Sequence, residues 1–223
     1  NYGSRGVTSE HQAEGIEMGR HRVARLMRED GLRATSRKKF RVTTDSRHRF
    51  PVAENVLGRR FEWPQPNQAW LADITYLWSD EGWAYLNCLL DLHGRRVIGW
   101  GVSERLEAST SCRVLEKAIA ARRPSPGLIH HSDRGVQYAC DHYQRILRRH
   151  GITCSMSQKG NCWDNSPMES FFGTLKREIG ETKWPTRSAA LHAIARYIAY
   201  YNNEPLHSTL DYLTPVQYEM KAA

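Results

Sequence analysis

The rhythm of apolar and polar positions changes near residue 67. Before it, residues 16–31 show one short helical stripe, Val23, Leu26 and Met27 at i, i+3 and i+4, closed by Gly31. Residues 33–49 have no apolar periodicity, and Pro51, Pro64 and Pro66 punctuate the stretch that follows. From Trp70 the pattern is that of a packed domain. Trp70–Leu77, Gly82–Leu92 and Arg96–Trp100 are rich in strand formers, and their short links predict an antiparallel meander. Residues 108–122 then predict a helix with Val114, Leu115, Ala118 and Ile119 inward. Leu128–His131 predicts a short strand that ends at Asp133, Tyr143, Ile146 and Leu147 mark a helix, and Ile152–Met156 predicts a fifth strand. A polar Gln158–Asn165 loop leads into a helix from Ser166 to about Ile179, with Ser166 as N-cap and Pro167 at the first helical position. A last helix is predicted over about Thr186–Asn202.

Three strands, helix, strand, helix, strand, helix is an α/β layout: a mixed five-stranded sheet flanked by helices, preceded by a small basic helical region. The expected boundaries are a basic region at 1–50, a linker at 51–66, a core at 67–204 and a C-terminal tail at 205–223.

Charge adds a partner to this picture. The net charge is +8, and residues 1–50 hold 12 Lys/Arg against 6 Asp/Glu, whereas the other 173 residues hold 20 against 18. A basic leading region on a near-neutral body points to a polyanion, nucleic acid first. Arg20, Arg22 and Arg25 lie mainly off the Val23 stripe, as in the second helix of a helix-turn-helix, although a partner helix before it is not evident. Arg37, Lys38 and Lys39 sit in an arm suited to phosphate contact. No apolar run reaches the ~18 residues of a membrane span. The five cysteines form no C-x-x-C pair, which argues against a zinc finger and for reduced thiols in the cytoplasm. The chain begins Asn1–Tyr2–Gly3–Ser4, without signal-peptide character, and a fragment or processed product is expected.

Three acids stand where chemistry is often found. Asp73 lies mid-strand among Leu71, Ile74 and Leu77, where an unpaired carboxylate costs several kcal/mol. Asp133 follows an apolar strand, and Glu169 opens a helix after a polar loop. Mg²⁺ and Mn²⁺ prefer such oxygen ligands, and two ions ~3.5–4 Å apart serve phosphodiester chemistry. Each acid also has a plainer reading. Asp73 pairs with a buried base, Asp133 bonds its own turn, or Glu169 closes a capping box with Ser166.

The stretches Trp70–Tyr76, His131–Tyr138 and Ser157–Phe172, in that order, resemble the integrase-core transposases of bacterial insertion sequences. The chain is similar to the second-frame part of the group whose two reading frames fuse. Asp133 and Glu169 have 35 residues between them, the family's acid-acid-35-acid spacing, and Lys176 falls seven residues later on the same helix face. Tyr201–Asn203, His207–Ser208 and Thr214–Pro215 match the family's C-terminal segment, whereas Pro205–Leu206 departs from it. The resemblance implies a ribonuclease-H-like fold and two Mg²⁺ or Mn²⁺ ions on Asp73, Asp133 and Glu169. It implies water nicking a transposon end and the resulting 3′-OH attacking a second phosphodiester, with no covalent protein–DNA intermediate. It also implies Lys176 on a DNA phosphate, Asn161 and Trp163 in a loop that admits DNA, and a homo-oligomer assembled on terminal repeats and target DNA. His131 orients Asp133, touches DNA or has a structural role, and His130 packs. Two alternatives stand beside this reading: a nuclease of the same fold that does not join strands, and an inactive DNA-binding regulator.

Overall fold

The computed structural model of the protein describes residues 3–32, 48–159, 161–179 and 184–222. Two short helices lead, α1 (Ser4–Ala13) and α2 (Arg20–Glu29). The meander follows as β1 (Ala69–Ser79), β2 (Gly82–Asp91) and β3 (Val97–Ser103), then α3 (Ala108–Arg122) and β4 (Ile129–Ser132). Next come α4 (Val136–Ala139), α5 (Asp141–Arg149), β5 (Thr153–Met156), a 3-10 turn at Cys162–Asn165 and α6 (Ser166–Glu178). The chain closes with α7 (Arg187–Asn203), a second 3-10 turn at Ser208–Leu210 and α8 (Pro215–Met220).

The five strands form one mixed sheet in the order β3-β2-β1-β4-β5. β1, β2 and β3 are antiparallel, while β4 and β5 run parallel to β1. Strand alternation sorts the side chains onto two faces. Trp70, Ala72 and Leu89 face a core shared with α3, α4 and α5. Ala69, Leu71, Leu77, Leu86, Cys88 and Leu90 face a core shared with α6 and α7. Trp70, Leu71, Leu86, Leu89 and Leu90 are fully buried. At ~1.5–3 kcal/mol for each such side chain, these two layers dominate the stability of the domain. α3 lies close against β3, because a Cβ added at Gly101 would sit 2.9 Å from Val114 Cγ2.

The segments outside the sheet are tied to it. Leu57 is buried, its N–H donates to Ser155 Oγ (3.0 Å), and Met156 N–H donates to the Glu54 carbonyl (3.3 Å). Residues 54–57 therefore lie against β5, while the Phe61 and Trp63 carbonyls bond Arg95 and His93 between β2 and β3. At the other end α8 carries a Thr214/Gln217 capping box. Glu219 accepts from Arg96 Nη1 (3.1 Å) and Arg122 Nη1 (2.6 Å), and Arg122 also reaches Asp91 (3.5 Å).

At the N-terminus the structure supplies the partner helix that the pattern does not reveal, since α1 packs on α2. The expected stripe on α2 is only partly buried: Val23 is 2% exposed but Leu26 is 37% exposed. One ten-residue neighbour covers one side chain of the stripe, not three. Arg37, Lys38 and Lys39 lie outside the described residues. Among the described residues no helix is long and apolar enough to cross a membrane.

Candidate active site

β1 and β4 pair in parallel up to Ala72 and Ser132, and each strand reaches an aspartate one residue later. Strand alternation turns Asp73 to the α6 side, and Asp133, just past the end of β4, lies close enough for its charge to act on Asp73. α6 brings Glu169 to the same place from its first turn. Electrostatics reports the meeting. Burial pushes the Asp73 carboxyl well above the usual carboxylate range, the charge of Asp133 adds to it, and Glu169 adds less. The Ile74 N–H, donating to Asp73 Oδ1 at 2.8 Å, and the Lys176 ammonium act the other way. Tyr138, buried beside the site, is pushed up by burial and then by the charges of Asp73 and Asp133. Among the described residues, no three His, Cys, Asp or Glu side chains close into a ready-made metal cage. The arrangement is an open cluster of like charges, the donor chemistry that hard divalent cations select.

The plainer readings fare differently. Asp133 does bond its own turn, since its Oδ1 accepts from Gly135 N–H at 2.8 Å. That bond orients the carboxyl group and coexists with its charge on Asp73. The capping box at Glu169 is absent. Ser166 is already helical, the N-cap is Asn165, and no side chain caps the helix. The reason is the 3-10 turn before it, which winds the chain into the helix one residue early. Lys176 is directed toward the site: its Nζ lies 5.6 Å from the Tyr76 ring, and burial lowers its pKa while Asp73 raises it.

His131 does not serve Asp133. Its ring bonds Ser155 Oγ (2.8 Å) and Ser157 Oγ (3.1 Å), whereas His130 Nε2 meets Tyr143 Oη (2.9 Å) on the opposite face. Both rings are buried and neutral, with burial lowering their pKa values to about 4 for His131 and about 3 for His130. The unfolded imidazoles take up protons near pH 6.5 and the folded ones do not. Stability is therefore complete above about pH 6.5 and falls as pH drops toward 4, by up to ~1.4 kcal/mol per unit for each ring. Denaturant unfolding near pH 7 and near pH 5 measures this, and equal stabilities would mean that the rings are not buried neutral.

The loop before α6 holds Trp163 out, 68% exposed, with Asn161 partly buried beside it. The residue that fixes this loop is Asp164, to which the sequence reading gave no role. Its buried carboxylate accepts from Arg59 Nε (2.8 Å), Asn55 Nδ2 (3.0 Å) and Gln158 N–H (2.8 Å). Its pKa is lowered despite burial, chiefly by the Gln158 N–H and Arg59. Only its position inside a polar loop hinted at such a clamp. On α2, Arg20, Arg22 and Arg25 are exposed, and Arg25 pairs loosely with Glu29 (3.6 Å).

Comparison with known proteins places this geometry. Residues 64–162 match one integrase core domain family, residues 150–215 match a second, and residues 1–40 match an HTH-like domain. The chain is 42% identical, over 99% of its length, to the 31 kDa protein of insertion element IS600 of Shigella sonnei, and covers 82% of it. It is 41% identical, again over 99% of its length, to transposase InsF for insertion sequence IS3A of Escherichia coli, and covers 77% of it. In structure it resembles a chain of the simian T-cell lymphotropic virus intasome, with TM-score 0.60 and 21% identity over 79% of this chain and 60% of that one. It also resembles the HTLV-2 integrase catalytic core domain in complex with magnesium, with TM-score 0.55 and 15% identity over 70% of this chain and 97% of that one. The two viral proteins share the ribonuclease-H-like fold of the sheet and its helices. By its sequence identity along nearly its whole length, the chain belongs to the integrase-core transposases of bacterial insertion sequences, polynucleotidyl transferases of the DDE type.

Proposed function

We propose that this chain nicks transposon ends and joins the freed 3′-OH to a second phosphodiester at a site formed by Asp73, Asp133 and Glu169. The supporting observation is the convergence of three carboxylates from β1, the end of β4 and α6, where the charges of Asp133 and Glu169 add to burial in raising the Asp73 pKa. Asp73, Asp133 and Glu169 would hold two Mg²⁺ or Mn²⁺ ions. When bound, such a pair supplies Lewis acidity at the attacking and leaving oxygens of a phosphodiester. The residues then have distinct tasks. Asp73 and Asp133 fix the separation of the ligands from adjacent strands, and Glu169 completes the set from a separate element. Because burial and then like-charge repulsion favour a proton on Asp73, loading cations would release that proton, so affinity should rise with pH. Lys176 holds a phosphate next to the site as a point charge. Asn161 and Trp163 line the entry. The exposed arginines Arg20, Arg22 and Arg25, with Arg37, Lys38 and Lys39 of the arm, grip the terminal repeat through its phosphates. Two ends must be cut together, and the working form is a homo-oligomer assembled on DNA.

The test is a gel assay with terminal-repeat duplex, target DNA and Mg²⁺ or Mn²⁺. Nicked and joined products are expected. Hydrolysis without joining would make the chain a nuclease, and binding without cleavage would make it a regulator. Either result overturns the proposal.

A further inference from the structure

One contact reaches the acid cluster from the N-terminal part of the chain. His48 Nε2 donates to the Arg134 carbonyl at 2.7 Å, across 86 residues of sequence. The other ring nitrogen, Nδ1, accepts from the Phe50 N–H at 3.2 Å. An Nδ1 that accepts leaves the ring proton on Nε2, and a carbonyl can only accept, so the two bonds agree on one tautomer. The ring is half-buried and tilted against that of Phe50 at 5.7 Å, and Phe50 packs on the core shared with α3, α4 and α5. His48 therefore stands on the body of the domain, although it directly follows the basic stretch 33–47.

The peptide on which this bond lands decides what it holds. The Arg134 carbonyl and the Gly135 N–H belong to one amide, which is planar and trans, so they point in opposite directions along one rigid plate. The Gly135 N–H donates to Asp133 Oδ1 at 2.8 Å. Fixing the carbonyl end thus aims the N–H end, and a hydrogen bond at the carbonyl polarises the amide and strengthens its donor. The turn needs such support. The β4 ladder ends at Ser132 and α4 begins at Val136, so residues 133–135 belong to neither element. Arg134 Nε ties the turn to the Ser157 carbonyl after β5 (2.6 Å), through a long side chain that does not set the tilt of the amide.

We infer that His48 is a positioning residue for Asp133: through the Arg134–Gly135 amide it holds the carboxylate in the direction needed to share a divalent cation with Asp73 and Glu169. Strand pairing places the backbone before Asp133, and His48 sets the aim of its side chain. This rests on the reading that Asp133 is a cation ligand.

The test is Mn²⁺ binding to the full chain without DNA, followed by electron paramagnetic resonance of the free ion. His48→Phe keeps a ring and loses both nitrogens, and its Kd for Mn²⁺ should rise about tenfold or more, the effect of removing a group that orients a metal ligand. His48→Asn retains an acceptor for Phe50 but falls short of Arg134, and should bind Mn²⁺ as weakly. His48→Gln places an amide N–H at the reach of Nε2 and should recover most of the affinity. All three should bind terminal-repeat duplex in EDTA as the wild type does, because the partner of His48 is the amide and not DNA. In the joining assay at saturating DNA, His48→Phe should lower the rate and raise the Mg²⁺ concentration for half-maximal rate, with the KM for DNA unchanged. Wild-type Mn²⁺ affinity in His48→Phe and His48→Asn overturns the assignment. With that affinity, a lowered melting temperature would make His48 a tether of the N-terminal segment, and weaker duplex binding would make it a DNA contact. A loss of Mn²⁺ affinity that is equal in His48→Gln also overturns it, since the donor would then not be what matters. A wild type that binds no Mn²⁺ sinks the reading of the acid cluster and the assignment of His48 with it, whereas equal affinities in wild type and variants sink the assignment alone.

Discussion

Asp73→Asn should lower nicking and joining together by at least ~10³-fold, a loss of ~4 kcal/mol of transition-state stabilisation. The same substitution should make the cation-free protein more stable at neutral pH. The two effects have one cause. Burial and the charges of Asp133 and Glu169 raise the Asp73 pKa, so the folded chain holds a proton that the unfolded chain, ionising near 3.9, has released. Stability therefore declines as pH climbs from about 4 through the folded value. Asparagine keeps the shape and removes that decline, and a rise in melting temperature of at least ~2 °C is expected near pH 7. Added Mg²⁺ should raise the melting temperature of the wild type and not that of the variant. Calorimetry with and without Mg²⁺, alongside the gel assay, measures all three. A cation-free variant less stable than wild type would mean that Asp73 is held by a partner of its own, and the catalytic assignment would fail.

Asp164→Ala should cost about 2–4 kcal/mol and lower the melting temperature by ~5–15 °C. The carboxylate is buried and accepts three hydrogen bonds, from Arg59, Asn55 and the Gln158 N–H. Truncation removes the acceptor that all three share and opens a void at a buried position, while the exposed Arg59 and Gln158 turn to water. The pKa of Asp164 is lowered, so its contribution is present above about pH 4 and disappears as pH falls through the folded value. Asp164→Asn should fall between wild type and alanine, because it retains an acceptor but no charge. Strand joining should weaken in both, since the clamp sets the start of α6 and with it Glu169. Melting curves that coincide with wild type would show that the loop stands without the clamp.

The sheet was legible because its strands alternate or run apolar between clear turns. The expected strand at Trp70–Leu77 is Ala69–Ser79, and the helix read over 108–122 has those bounds. α1 was not legible because Ser4–Ala13 has no apolar stripe and owes its place to contact with α2. Asp73 announced itself as an acid in an apolar strand. Asp133 and Glu169 were ambiguous as residues, and their spacing within a recognised motif is what joined them to Asp73. Periodicity alone does not reveal that β4 inserts between β1 and β5, yet that crossover brings the two aspartates side by side. Asp164 was overlooked because a loop acid offers no local sign that Asn55 and Arg59, more than a hundred residues earlier, close on it. The same long-range closure is why Ser166 misled: the helix start is decided by the preceding turn, not by the best capping residue.

Since the first two acids each follow the last paired positions of neighbouring strands, Ala72 and Ser132, their separation is set close to the ~4.8 Å repeat of the peptide backbone. No surface substitution can retune that gap. The third acid alone arrives on an element whose placement depends on side-chain contacts. Evolutionary adjustment of this catalyst to a new DNA shape is thus channelled through the loop and helix that deliver Glu169, while the pair on the strands stays a constant gauge.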